Sequence, residues 1–361
     1  MAGADPHLAA LAAIPALGPL SVSRLVSAFG SAEAVFGARS EELARVPGVD
    51  RKRAGAIREF RVEEFLRGLE RVRGEGVRVV GRGSEGYPAA LEALESAPPV
   101  LYMKGAPARE DMFSIAVVGS REPSPYGRQV TWKMASDLAG TGFTVTSGLA
   151  RGIDTAAHRG AIEAGGRSMA VLGSGIDVPY PPENRGLMEK VAASGCVMTE
   201  FPPGTRPYKS NFPRRNRIIS ALSLGVLVVE AAPGSGSLIT ARHALEQGKE
   251  VFAIPGNINS RLSSGTNELI RDGARVVTRA ADIVEELAPV LRGFIKSKER
   301  KQVEVTGDEK ALCDIMSEEP VHVDVLSRQS GMPPSRTLAV LLGLELKGVV
   351  RQIEGKKFHL V

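Results

Sequence analysis

Ile115-Ala116-Val117-Val118-Gly119-Ser120-Arg121 and Thr144-Val145-Thr146-Ser147-Gly148-Leu149-Ala150-Arg151-Gly152 are the two stretches whose reading decides the fold. Each is a short run of strand-forming residues that stops at a glycine turn carrying an arginine. The second leads directly into the alanine-rich segment Asp154 to Ala164, which reads as a helix. A buried strand followed by a glycine turn and a helix is one unit of a parallel α/β sheet, and its turns lie at the carboxyl edge, where ligands bind. Glycine lets the backbone approach an anion closely, a helix start offers free N–H donors, and arginine adds a planar fork for phosphate oxygens. Both loops point to phosphate as the ligand.

Outward from these loops, residues 113 to 287 alternate apolar runs with segments of helical period. The strand candidates are Ile115–Val118, Thr144–Thr146, Ser168–Leu172, Cys196–Thr199, Gly225–Val229, Val251–Ile254 and Val276–Val277. Continuous apolar strands separated by helices indicate an α/β, doubly wound parallel sheet. The stretch from Gly76 to Pro107, with Tyr87-Pro88, Pro98-Pro99 and Val100-Leu-Tyr-Met-Lys, reads as strands and turns added to one edge of that sheet.

Residues 1–75 read as a module of short helices. Ile14-Pro-Ala-Leu-Gly18-Pro-Leu-Ser and Val46-Pro-Gly48-Val-Asp-Arg-Lys-Arg-Ala repeat one plan, a hydrophobic residue, a tight glycine turn and a new helix. This is the helix-hairpin-helix plan, which serves either to hold a DNA phosphate on the turn amides or to pack on a neighbouring domain. The sheet domain is expected over 76–290 and a basic linker over 291–305, with Lys296, Lys298, Arg300 and Lys301. Residues 306–361 fit a small winged helix of helices and two short strands.

With 361 residues, 43% of them hydrophobic, the chain can build two or three cores. Its 46 basic and 41 acidic side chains leave a formal net charge of +5, which permits nucleic acid without demanding it. Cys196 and Cys313 are far apart and match no metal spacing, so a reducing cytoplasm is the expected location. The start, MAGADPHLAALAAIPALG, lacks the basic region of a secretory signal, and nothing approaches a membrane span.

Several chemistries are set aside by the residues present. A dinucleotide site needs G-x-G-x-x-G at the first βα turn, and Gly119-Ser-Arg-Glu-Pro-Ser lacks the later glycines. Val171-Leu-Gly173-Ser-Gly175-Ile-Asp177 runs on into Val-Pro-Tyr-Pro-Pro and not into a helix. No histidine pair has metal spacing, so neither cofactor nor metal is expected. Asp154 suits the first turn of its helix, and His158 reads as a structural residue. No G-x-S-x-G elbow surrounds a serine, and no catalytic residue is assigned. One enzymatic alternative remains. Ala232-Pro-Gly234-Ser-Gly236-Ser237-Leu-Ile-Thr240 resembles the P-G-G-x-G-T-x-x-E loop of lysine-decarboxylase-like phosphoribohydrolases, with Thr240 where their catalytic glutamate stands. A hydroxyl cannot do the acid–base work of a carboxylate.

The basic segment Arg206-Pro-Tyr208-Lys209-Ser-Asn211-Phe212-Pro-Arg214-Arg215-Asn216-Arg217 holds five cations and no acid in twelve residues, with two aromatics between them. Its prolines suggest a rigid loop that presents the cations. Cations along a backbone with aromatic faces for splayed bases are what single-stranded nucleic acid requires. The winged-helix segment has seven cations against eight acids, which gives no footprint for duplex DNA.

Tyr87-Pro88, Val118-Gly-Ser-Arg121, Thr146-Ser-Gly-Leu-Ala-Arg-Gly-Ile-Asp154, Phe212-Pro-Arg-Arg-Asn-Arg217 and Ile254-Pro-Gly256-Asn257, in that order, resemble the DNA-processing protein A (DprA, or Smf) family of bacterial recombination mediators. The resemblance implies an extended Rossmann-like domain that binds and protects single-stranded DNA without catalysis. It further implies loading of the RecA recombinase in natural transformation and a homodimer formed through that domain. It assigns nucleic-acid contacts to Arg121, to Ser147, Gly148, Leu149, Ala150 and Arg151, and to Lys209 and Phe212, and the glycine-loop and basic-segment readings add Gly119, Ser120, Gly152, Asn211, Arg214, Arg215, Asn216 and Arg217.

Overall fold

The structure, a computed structural model, describes residues 4–299, 307–317, 319–346, 349–353 and 355–360. The chain opens with six helices: α1 (Pro6–Ala12), α2 (Pro19–Phe29), α3 (Ala32–Gly37), α4 (Ser40–Leu43), α5 (Arg51–Glu59) and α6 (Val62–Gly74). Then come β1 (Arg78–Gly81), α7 (Ala89–Glu92), β2 (Val100–Gly105), β3 (Ser114–Val118), α8 (Pro125–Gly140), β4 (Thr144–Ser147), α9 (Ile153–Glu163), β5 (Ser168–Val171), α10 (Arg185–Ser194) and β6 (Cys196–Thr199). The domain continues with α11 (Asn211–Ala221), β7 (Gly225–Val228), α12 (Gly236–Glu246), β8 (Glu250–Ala253), α13 (Arg261–Arg271), β9 (Arg275–Val276) and α14 (Ala280–Glu299).

These strands make one sheet of nine in the order β1-β2-β6-β5-β4-β3-β7-β8-β9. From β3 to β9 every expected strand is present, and these seven pair parallel with one another. The expected edge is there too, with β2 antiparallel to β6 and β1 antiparallel to β2. The chain travels outward from β3 to β6, and α11 then brings it back to lay β7 on the other side of β3. The β3/β7 gap is therefore the topological switch point, where an open α/β sheet leaves a crevice.

Side chains alternate across the sheet with period two. Met169 and Val171 pack under α11 and α12 with Ile218, Ile219, Ala241 and Ala244, while Ala170 and Leu172 face Leu187, Met188 and Val191 of α10. Leu69 and Val72 of α6 join this second cluster, and the Ala4 amide donates to Val79 O at 2.8 Å. The helical module has a further core of its own around Leu11, Leu25, Val35, Leu43 and Ile57. Because α6 shares the sheet's core, the helices and the sheet form one compact unit, Met1–Glu285.

Two sequence expectations change. The basic segment is not a rigid loop throughout: from Asn211 it is α11, with Pro213 in the first turn. A first-turn proline is tolerated because its missing N–H has no intrahelical acceptor. The segment expected as a linker from residue 291 is helical as far as Glu299 in α14, and residues 300–306 lie outside the described residues.

The second unit, Glu286–Val361, contains α15 (Asp308–Cys313), β10 (Val321–His322), α16 (Val323–Ser330), α17 (Pro334–Leu346), β11 (Val350–Ile353) and β12 (Lys357–Leu360). Its three strands pair antiparallel in the order β10-β12-β11, closing over Leu312, Leu326, Leu341, Leu344 and Phe358. This is a winged helix with its own core.

Candidate nucleic-acid interface

A cavity of about 560 Å³ opens at the switch point, between the loop that follows β3, the loop that follows β7 and the start of α11. Gly119, Ser120, Arg121 and Glu122 form one wall, and Ala232 to Ser237 with Thr240 form the opposite one. Lys209 and Phe212 line it from the start of α11, and Ala150 from the second glycine loop. Arg121 and Lys209 are exposed, and neither pairs with a carboxylate among the described residues. The Arg121 guanidinium lies over the Phe212 ring, 4.9 Å from its centroid. Phe212 is half-buried, 5.7 Å from the Tyr180 ring, and rests on Gly173, where a Cβ would come within 2.8 Å of it.

The two glycine loops are joined to each other. Ile153 N donates to Ser120 O at 3.1 Å, and Ser120 N donates to Glu230 O at 2.7 Å at the end of β7. Gly152 adopts φ +76°, against the carbonyls of Ser120 and Arg121, where any side chain would collide. The buried Glu230 carboxylate accepts from Ser124 N at 2.9 Å and from its hydroxyl, and Ser124 in turn caps α8.

The second loop is held from beneath. Leu149 adopts φ +55°, costly for a side chain of this size. His158 Nε2 accepts from Leu149 N at 3.3 Å, and Asn184 Nδ2 donates to Leu149 O at 2.9 Å. With Nε2 accepting, Nδ1 carries the proton and donates to Ser168 Oγ at 2.7 Å, which donates on to Val145 O. Burial pushes the His158 imidazole down to about 3, so it stays neutral. Asp154 accepts from the amides of Gly148 and Ala150, and burial raises its carboxyl while the Arg215 charge works the other way.

This geometry divides the residues assigned from sequence. Gly119, Ser120, Arg121, Ala150, Lys209 and Phe212 meet around the cavity mouth. Ser147 and Leu149 are fully buried, and Gly148 packs on the Arg215 guanidinium, so these three shape the loop from inside. Arg151 points elsewhere and pairs with Glu183 at 2.5 Å. Arg215 is 3% exposed and spends Nη1 on the carbonyls of Gly148 and Val171, with burial lowering it to about 10. It forms the cavity floor, together with Asn216, whose amide donates to Gly236 O at 3.1 Å. Arg214 and Arg217 share the buried Glu200 carboxylate at 2.9 and 2.7 Å. Asn211 donates to Gly173 O at 3.0 Å. The count of five cations overstates the contact surface, because a helix sends every third or fourth residue inward. Residues 232–237, read only as a degenerate catalytic loop, prove to be a full wall of the site. Their position after the strand that reverses the sheet order was the signal that locates them.

The family model for DNA recombination-mediator protein A matches residues 78–288, more than half of the chain. The chain belongs to the DNA-processing protein A family. A DprA winged-helix model matches 296–356, and a SAM-like helix-hairpin-helix tandem matches 8–61. Protein Smf of Escherichia coli is 42% identical over 278 residues, covering 75% of this chain and 74% of that one. The DNA processing protein DprA of Bacillus subtilis is 40% identical over 248 residues, 66% of this chain and 82% of its own. The crystal structure of DprA from Streptococcus pneumoniae superposes with a TM-score of 0.67 at 32% identity, over 79% of this chain and 99% of that one. DNA processing protein A from Helicobacter pylori, whose structure is described by its single-stranded DNA binding mode, matches at a TM-score of 0.52 and 30% identity, over 57% and 94%.

Within this DprA member the second helix-hairpin-helix turn is closed. Gly48 turns at φ +84°, but Asp50 takes the Arg53 amide at 2.8 Å, Arg53 donates to Gly48 O at 2.9 Å and Arg24 donates to Pro47 O at 3.2 Å. A carboxylate stands where a phosphate would have to sit, which favours the packing role of this module. Among the described residues no helix is long and apolar enough to cross a membrane.

Proposed function

We propose that this protein binds single-stranded DNA across the switch-point cavity, protects it and loads the RecA recombinase onto it as a homodimer in the cytoplasm, without catalysis. The observation that carries the DNA reading is Arg121 lying on the part-exposed ring of Phe212, with Lys209 in the same cavity lining and neither cation paired with an acid among the described residues. Phosphates neutralise the two cations and a base stacks on the ring, displacing the guanidinium that covers it in the free protein. RecA loading and the homodimer rest on membership of a family of recombination mediators. Against a hydrolase, Asp154 is committed to two loop amides and Thr240 stands in the position of the phosphoribohydrolase acid, which leaves the exposed Glu122 as the other carboxylate of the lining.

Salt-titrated anisotropy with single- and double-stranded oligonucleotides tests the reading. The exposed cations Arg121, Lys209 and Arg206 set roughly three to four phosphate contacts, so log affinity for single strands falls with log salt at a slope of about −2 to −3. Equal affinity for duplex, or a flat salt response, overturns it. RecA loading is read separately, as a shorter lag in filament growth on strands carrying the protein, and the homodimer by sedimentation.

A further inference from the structure

We propose that a single strand leaving the switch-point cavity continues into a second, aromatic groove between α6 and the turn at Pro203-Gly204, so that the helical module forms part of the DNA path. The inference rests on the single-strand reading above and extends its footprint.

The groove encloses about 350 Å³ and is walled by Phe60, Phe65, Gly68, Arg61 and Arg71 on one side and Pro203-Gly204 on the other. The Phe60 and Phe65 rings are half-buried and tilted, 5.8 Å apart, and Phe60 is braced by stacking on Phe36 at 6.3 Å. Part-exposed rings held from behind are stacking platforms, worth about 1–3 kcal/mol per base. Arg61 and Arg71 are exposed at the rim, and the one acid among the lining residues, Glu64, meets Arg61 only in a solvent-exposed pair at 3.4 Å. Such pairs are weak and readily exchanged for a phosphate. Gly68 sits mid-helix, where glycine costs about 1 kcal/mol relative to alanine. A Cβ built there meets nothing within 4 Å, so the glycine leaves the groove open and packing does not demand it.

Continuity with the cavity identifies the occupant. One loop supplies both walls: Pro203 and Gly204 line the groove, and Lys209 lines the cavity. Asp177 pins that loop by accepting from Gly204 N at 2.8 Å, and Gly175 N donates to Thr205 O at 2.9 Å. Between the two sites the loop exposes Arg206 and Tyr208, a cation and a further aromatic face. Five residues span at most about 17 Å, on the order of five nucleotides at stacked spacing. Cations along the whole track favour a polyanion over an apolar peptide.

The test uses the full chain with labelled oligothymidylates of six and twenty nucleotides. The short strand occupies the cavity alone, and the long one reaches the groove. Gly68→Leu fills the groove at a helix position that tolerates it, and Arg61→Ala with Arg71→Ala removes the rim charge. Both variants are expected to melt as the parent does, to bind the six-mer within twofold, and to bind the twenty-mer five- to tenfold more weakly. The double variant also lowers the twenty-mer's salt slope by about 1.4. Unchanged twenty-mer binding in either variant overturns the proposal. Failure of the parent to bind the six-mer refutes the cavity reading instead, and is read independently.

Discussion

Two glycine turns in this protein start helices beside arginines, and they come to opposite ends. At Gly48 the arginines turn back on the backbone: Arg53 and Arg24 donate to turn carbonyls, and Asp50 takes the free amide. At Gly119 the amide of Ser120 goes to Glu230 O, yet Arg121 has no acid beside it among the described residues and lies on an aromatic ring at a cavity mouth. The ingredients are the same and the accounting differs. A turn whose amide is capped by its own carboxylate suits packing even with Arg51 and Lys52 exposed beside it, whereas a turn whose cation lies on an aromatic ring at a cavity mouth is the candidate for binding.

The largest expected effect breaks the contrast directly. Arg121→Ala with Lys209→Ala lowers single-strand affinity at least about 100-fold, two charge-assisted contacts at about 1.5–3 kcal/mol each, and flattens the salt slope by about 1.4. Arg51→Ala with Lys52→Ala, beside the Gly48 turn, changes affinity less than twofold. A comparable loss in both would erase the distinction between the turns. Next, Phe212→Ala costs about 1–3 kcal/mol of affinity through lost stacking and leaves the salt slope unchanged. A lowered melting temperature with intact affinity would assign the ring to the core.

A smaller effect concerns the loop's support. Below about pH 6.5 the unfolded His158 imidazole takes up a proton that the folded one refuses until about pH 3. The unfolded state binds more protons in that window, so stability falls as pH falls, by at most about 1.4 kcal/mol per unit. His158→Gln should flatten this slope relative to the parent in denaturant titrations; Asp154 is common to both proteins and drops out of the difference. Parallel slopes would mean that the imidazole is reached by water. Smallest of all, removing residues 306–361 should weaken single-strand binding less than tenfold, since the winged helix carries seven cations against eight acids.

The strands and the two loops were legible because apolar period and glycine turns are local signals. Val118-Gly119-Ser120-Arg121 could only be a strand, a turn and an exposed cation, and Ser147 to Gly152 repeated the pattern one unit later. The helical start at Asn211 was hidden by Pro213, which reads as a breaker everywhere except in a first turn. The linker expectation began inside a helix because charge and helix coexist along α14. The helical module was legible as a module, but its attachment to the sheet was not, since Leu69 and Val72 look like any apolar helix stripe until Ala170 and Val197 are placed beneath them.

What the sequence alone determined is the inventory: a parallel sheet, two glycine loops, a basic and aromatic strip, and a carboxylate missing at Thr240. What only the tertiary structure decided is which of those charges remain available. Arg215 was counted with Arg121 as a binder, yet it lies under the Gly148 loop, while Arg214 and Arg217 close on Glu200 from the end of β6. Those partners are 14 to 67 residues away along the chain. A charge is spent or free according to what the fold sets beside it, and that neighbour is not written next to it in the sequence.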